Sequence, residues 1–215
     1  METINIQVAF FLKEDYNKPI EKLSLNIQDV LGQPERLNYI PIDNSAPSEL
    51  PRLEIIYKNY KVQASKNRID LYLDSIDNYA EKIDFFNNID YSSLGIQIRR
   101  IGFVRSYFIV KEVVNSKKLL NAEFQEIDIK EFNLRINIEK EVLGRKCNNI
   151  EQIEFGDIIK LQPGGQQKVE NGCIVRRDIN TLNEILYELV KDERKSLIDK
   201  FIILSEEFTF KNKLD

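Results

Sequence analysis

The chain has 215 residues, 42% of them hydrophobic and 31% charged, with a formal net charge of −4. That length allows one large domain or two small ones, and the acidic balance argues against a dominant non-specific affinity for nucleic acid. With no histidine, Ser-His-Asp and Cys-His catalysis, imidazole acid–base chemistry and His-containing zinc sites are excluded, and two cysteines cannot build a four-cysteine zinc site within one chain.

The first residues hold Glu2 and no basic segment, and their apolar side chains alternate. No signal peptide is expected. No apolar run approaches the roughly 20 residues of a membrane-spanning helix. Two cysteines make no disulfide framework, so the expected compartment is the reducing cytoplasm.

Residues 3–12 alternate as a half-buried strand, with Ile4, Ile6, Val8 and Phe10 on one face and Asn5 and Gln7 on the other. Residues 18–31 fit a helix with Pro19 in its first turn and Gly32 as its C-terminal cap. Residues 33–51 hold Pro34, Pro41, Pro47 and Pro51 and read as loop or extended edge. They are not a linker, because Leu37, Tyr39, Ile40 and Ile42 are interleaved. A three-strand meander follows over 52–57, 61–64 and 68–73. In the last, Ile69, Leu71 and Leu73 form the dry face and Asp70, Tyr72 and Asp74 the wet one, which predicts an antiparallel sheet covered on one side. A helix over 77–88 closes this part.

Residues 96–114 form the longest run of strand formers, apolar on both faces, with Gly102 marking a bulge or a close backbone approach. A short helix over 116–122, a hairpin around Leu143-Gly144 with an extension over 157–161, a turn at Pro163-Gly164-Gly165 and a strand over 172–179 follow. Thr181-Leu182-Asn183-Glu184 has the form of a capping box. It predicts a helix carrying Leu182, Ile185, Leu186, Leu189 and Val190. A second stripe, Leu197, Ile198, Phe201, Ile202 and Phe208, continues it after a break near Lys191-Asp192.

The predicted fold is α+β: two similar halves of mostly antiparallel sheet with helices packed on one side. Residues 1–95 make an N-terminal half (strand, helix, three-strand meander, helix). Residues 96–215 make a C-terminal half (long central strand, hairpin, last strand, C-terminal helices). The matching order suggests an internal duplication.

Few residues carry chemistry. Arg99, Arg100, Arg105, Arg176 and Arg177 are the candidate phosphate or nucleic-acid ligands, because guanidinium forks match phosphate. Ion pairing within the acidic chain is the competing reading. Asp70, Asp74, Asp77 and Asp178 offer oxygen ligands, but a polar sheet face needs no metal to explain it. Asp128-Ile129-Lys130 and Gly164-Gly165-Gln166 are too short to carry an assignment. Cys147 and Cys173 are expected to be buried and inert. No catalytic residue, metal or cofactor is assigned.

Four segments resemble a sporadically distributed family of uncharacterised prokaryotic proteins. They are Ala46-Pro47 with Leu50-Pro51-Arg52-Leu53, Ser65-Lys66-Asn67-Arg68-Ile69, Arg99-Arg100-Ile101-Gly102-Phe103 and Arg177-Asp178-Ile179. The resemblance implies an α+β fold with this order of elements and brings no activity or site residues. The family's patchy distribution suggests mobile-element or defence-linked neighbourhoods.

The expected function is therefore a non-catalytic cytoplasmic interaction protein: a subunit, adaptor or inhibitor. Its partner is another protein or a second copy bound through the C-terminal helices, with no membrane. The alternative is a nucleic-acid- or nucleotide-binding protein using the five arginines, and a carboxylate-metal nuclease comes third.

Overall fold

The computed structural model describes residues 2–43, 45–74, 78–110, 130–161, 167–183 and 188–207. Its described residues form an α+β fold. The strands are β1 (Glu2–Leu12), β2 (Arg36–Tyr39), β3 (Leu53–Ile56), β4 (Tyr60–Ala64), β5 (Arg68–Leu73), β6 (Ile98–Val110), β7 (Phe132–Val142), β8 (Arg145–Leu161) and β9 (Gln167–Thr181). The helices are α1 (Ile20–Leu31), α2 (Tyr79–Asn88) and α3 (Lys191–Ser205). One antiparallel sheet runs β2-β3-β4-β5-β1-β6-β9-β8-β7. On either side of the β1–β6 contact the order is the same: first strand, last strand of the meander, then its middle and first strands.

β1 buries Ile6, Val8, Phe10 and Leu12. A register shift between Thr3 and Asn5 takes Ile4 out of this alternation and leaves it only half-buried. α1 buries Leu23 and Ile27. Pro19 stands just ahead of the helix rather than in its first turn, and Gly32 (φ 84°) ends it. The proline-rich segment supplies the edge strand β2. α2 packs Phe86 on Phe10, with ring centroids 4.7 Å apart.

β6 is paired along both edges, to β1 and β9, so its apolar character on both faces is that of an inner strand. Gly102 is not at a bulge: it pairs regularly with Ala9 and Asn180. The β1–β6 irregularities lie at Thr3/Asn5 and Phe11/Leu12. The β7–β8 turn has positive φ at both Leu143 and Gly144, the requirement of the hairpin turn whose twist suits the sheet.

Of the predicted capping box and its helix, Glu184, Ile185 and Leu186 lie outside the described residues. Thr181 ends β9, and its hydroxyl accepts from the Ile101 amide at 3.0 Å. A β-edge partner has taken the oxygen that a helix would have used. α3 starts only at Lys191, and Val190, expected in the core, is 60% exposed. Leu197, Ile198 and Phe201 do bury against the sheet. Arg194 locks α3 to α2 through Asn87 Oδ1 at 3.0 Å and closes the Leu189 carbonyl at 2.8 Å. The short helix over 116–122, the Pro163-Gly164-Gly165 turn, Asp77, Asp128 and Phe208 lie outside the described residues.

The main core cluster takes residues from both sides of position 95, including Val8, Leu71, Phe103, Ile179 and Phe201. A smaller one holds Tyr107, Ile109, Ile153, Phe155, Cys173 and Val175. The three helices meet strand residues of one parity only, so among the described residues no helix lies on the other face of the sheet.

Candidate functional site: the polar face of the sheet

The face without described helices is built by the alternate residues of each strand. Strand register lines nine of them into one row: Asn38, Glu54, Gln63, Asp70, Ala9, Gly102, Asn180, Asn148 and Glu139. Several neighbours bond to each other. The Glu54 carboxylate accepts from Gln63 at 2.9 Å and Asn38 at 3.1 Å. The Gln63 amide is the first of the contacts that hold this carboxyl below its usual range. Asn148 donates to Asn180 at 3.3 Å, and Asn180 donates to Asp178 at 2.9 Å. The two small residues, Ala9 and Gly102, sit at the centre of the row, where β1 meets β6.

An aromatic ring fills the space beside them. Phe11 pairs with Arg68 on one side and Arg100 on the other, and its ring lies 3.6 Å from where a Gly102 side chain would begin. The Arg100 guanidinium stands 4.2 Å from the ring centroid and that of Arg68 5.7 Å. Such cation–π contacts contribute about 0.5–1 kcal/mol each where water reaches them. Arg68 also bonds Asp70 at 2.7 Å, and Gln7 bonds the other carboxylate oxygen at 2.9 Å. Asp70, expected on the wet face, is therefore 5% exposed. Burial pushes its carboxyl above the usual carboxylate range, against the pull of Arg68.

The five arginines named from the sequence are divided between the two faces. Arg105 and Arg177 are register partners that point to the helix side. Arg105 pairs with Glu206 at 3.0 Å and lies over Tyr79 and Tyr107. Arg177 pairs with the buried Glu151, bonds Asn149 at 2.7 Å and reaches the Leu204 carbonyl at 3.4 Å. Tyr107 donates to the Ser205 carbonyl at 3.0 Å. A helix ends with carbonyls that lack intrahelical donors and with the negative pole of its dipole. Arg105, Arg177 and Tyr107 meet both needs at the end of α3. Arg100 lies on the polar face, with Nη2 3.4 Å from Asn180 Oδ1. Arg176 is exposed on that face beside Ser106 and Gln152. Arg99 lies apart, near Arg145, Lys146 and Thr181.

Among the described residues no three His, Cys, Asp or Glu side chains converge as metal ligands. Cys147 and Cys173 are fully buried, and burial pushes the Cys173 thiol up to about 12. Phe11 and Arg68 escape attention in the sequence. The one signal is that Phe11 interrupts the alternation of β1 by placing a large apolar side chain at a polar-face position. No described helix is long and apolar enough to cross a membrane. No protein-family model matches the chain, and no curated protein matches its sequence.

Proposed function

We propose that the protein is a non-catalytic interaction protein, a subunit, adaptor or inhibitor of the cytoplasm, that receives a partner protein on the polar face of its sheet. The observation that carries this reading is the row that crosses all nine strands on the face without described helices, with polar side chains on seven strands and the small residues Ala9 and Gly102 at its centre. Nine strands at about 4.8 Å spacing extend roughly 40 Å. The strands run from four residues in β2 and β3 to 17 in β8, at about 3.3 Å per residue, so the face is at least comparable in area with the ~800 Å² that one partner contributes to a standard interface. Phe11 between Arg68 and Arg100 supplies the aromatic and arginine centre that dominates such interfaces. Charge supports a protein over a polyanion: Arg68 stands beside Asp70, Arg100 near Asp178 and Lys61 beside Glu54. A nucleic acid needs a field of one sign.

The test is capture of a partner from host extract, followed by arginine-specific chemical labelling of the complex. Arg68, Arg100 and Arg176 are expected to lose reactivity on binding; unchanged reactivity at all three contradicts the reading. Light scattering of the purified chain separates self-association from a heterologous partner.

A second reading, a phosphate-bearing ligand held by Arg100 with Arg68, has one observation in its favour: Arg100 Nε is buried and meets no acceptor. Binding of RNA, DNA or nucleotides would then fall steeply with salt, and Arg68→Ala/Arg100→Ala would flatten that slope.

A further inference from the structure

A cavity of about 230 Å³ lies at the end of the sheet where the approach to β3, the β4–β5 turn and the β1–α1 connection meet. Three cations line it, Arg52, Lys66 and Lys18, and no carboxylate does. Arg52 Nε and Nη2 are shielded from water and meet no acceptor. These two nitrogens are the edge of the guanidinium that grips an oxyanion with two parallel bonds. Arg52 as a whole is half-buried, but native proteins rarely leave shielded donor nitrogens of a charged group without an acceptor. The nearby carboxylates are engaged elsewhere: Asp15 accepts from the Ser48 hydroxyl and Glu49 from Asn67 at 3.4 Å. Lys18 is tied to the Leu94 carbonyl at 2.6 Å, but its charge remains at the rim. α1 starts at the cavity wall with Ile20 and has no side-chain cap, so its N-terminal dipole adds to the positive field. Glu21, in the first turn, is exposed and does not line the cavity.

We propose that this cavity binds the phosphate monoester group of a small ligand, with Arg52 as the bidentate donor and Lys66 as the second cation. A dianion matches two cations that have no partner of their own better than a carboxylate does. The volume lies below the ~300 Å³ at which drug-sized sites begin, which suits phosphate with a small organic remainder against Ile20, Ile40 and Tyr16. The site is separate from the polar face and stands whether or not a protein docks there.

The test is titration of the full chain with inorganic phosphate, followed by 31P NMR line width and by thermal midpoint, with acetate in parallel. Wild type is expected to bind phosphate saturably and acetate at least tenfold more weakly. Arg52→Gln should weaken phosphate binding by about tenfold or more, as loss of a charged hydrogen-bond pair implies. Lys66→Gln should weaken it several-fold, and Lys195→Gln, on the exposed side of α3, should leave it unchanged. Should Arg52→Gln fail to fold, Lys66→Gln carries the test alone. Absence of saturable phosphate binding, acetate binding as tight as phosphate, or full affinity in the folded Arg52→Gln or Lys66→Gln protein overturns the proposal.

Discussion

The hairpins β4–β5 and β8–β9 occupy corresponding places in the sheet, one beside β1 and the other beside β6, yet they differ in length and in what they bury. β4 and β5 have five and six residues and turn at Lys66-Asn67. β8 and β9 have 17 and 15. Asn67 lies three residues from Asp70 in the polar row, and Arg177 lies three from Asn180. The short hairpin thus turns back where the long one places the Arg177–Glu151 pair. On one side of that pair Ile179 and Cys147 belong to the main core; on the other Val175 and Ile153 belong to the second cluster. A buried ionic layer marks the join between the part of the sheet that the two hairpins share and an extension with a small core of its own. It also holds the end of α3.

Four substitutions sharpen or break this contrast. Arg177→Met has the largest expected effect, because it takes the guanidinium from the buried Glu151 carboxylate; breaking such a pair costs about 3–5 kcal/mol. Urea unfolding should show that loss, and Arg177→Met/Glu151→Leu should recover much of it. A single-variant loss within error of zero would mean the layer does not hold the join. Gly172→Ala tests the extension. Its new Cβ would lie 2.5 Å from the Ile109 carbonyl oxygen and 2.8 Å from the Phe108 ring. Backbone cannot yield cheaply, so a cost of about 1–3 kcal/mol is expected. Arg105→Met removes one of the two guanidinium groups at the end of α3 and its aromatic contacts, for about 1–2 kcal/mol. The loss should shrink at high salt, since Glu206 is largely exposed.

The smallest effect lies in the short hairpin. The folded pKa of Asp70 is raised above the unfolded value of about 3.9. The protonated form is therefore the better tolerated one in the fold. The stability contributed by this protonation is fully present below the unfolded pKa and is lost as pH rises through the folded one. Wild type should gain on Asp70→Asn as pH falls from 7 towards 4, read as a rise in its urea midpoint relative to the variant. A gain in the opposite direction would show that the Arg68 contact, not burial, governs Asp70.

Local pattern made the strands legible. The alternation in β1 and β5, the two-sided apolar run of β6 and the Leu143-Gly144 turn each announce themselves in a few adjacent residues. Thr181 misled because a hydroxyl at the start of an apolar run suits a helix cap or a strand end equally, and only the neighbouring β6 backbone decides between them. The polar row was invisible for a different reason. Its nine members come one per strand, and only the register brings Glu54, Gln63 and Asp70 beside Asn180, Asn148 and Glu139. The arginines could be found but not sorted. Alternation separates Arg100 from Arg105 and Arg176 from Arg177, but how the two strands register and which face carries the helices are tertiary facts.

The most direct test of the docking face is capture from host extract with three baits. These are wild type, Arg68→Glu/Arg100→Glu on the polar face, and Lys195→Glu on α3. A partner should be recovered with wild type and Lys195→Glu and lost with the polar-face variant, all three being folded. A partner that follows the polar-face variant as well as wild type, or that is lost only with Lys195→Glu, would place the interaction elsewhere and rule out docking on the polar face.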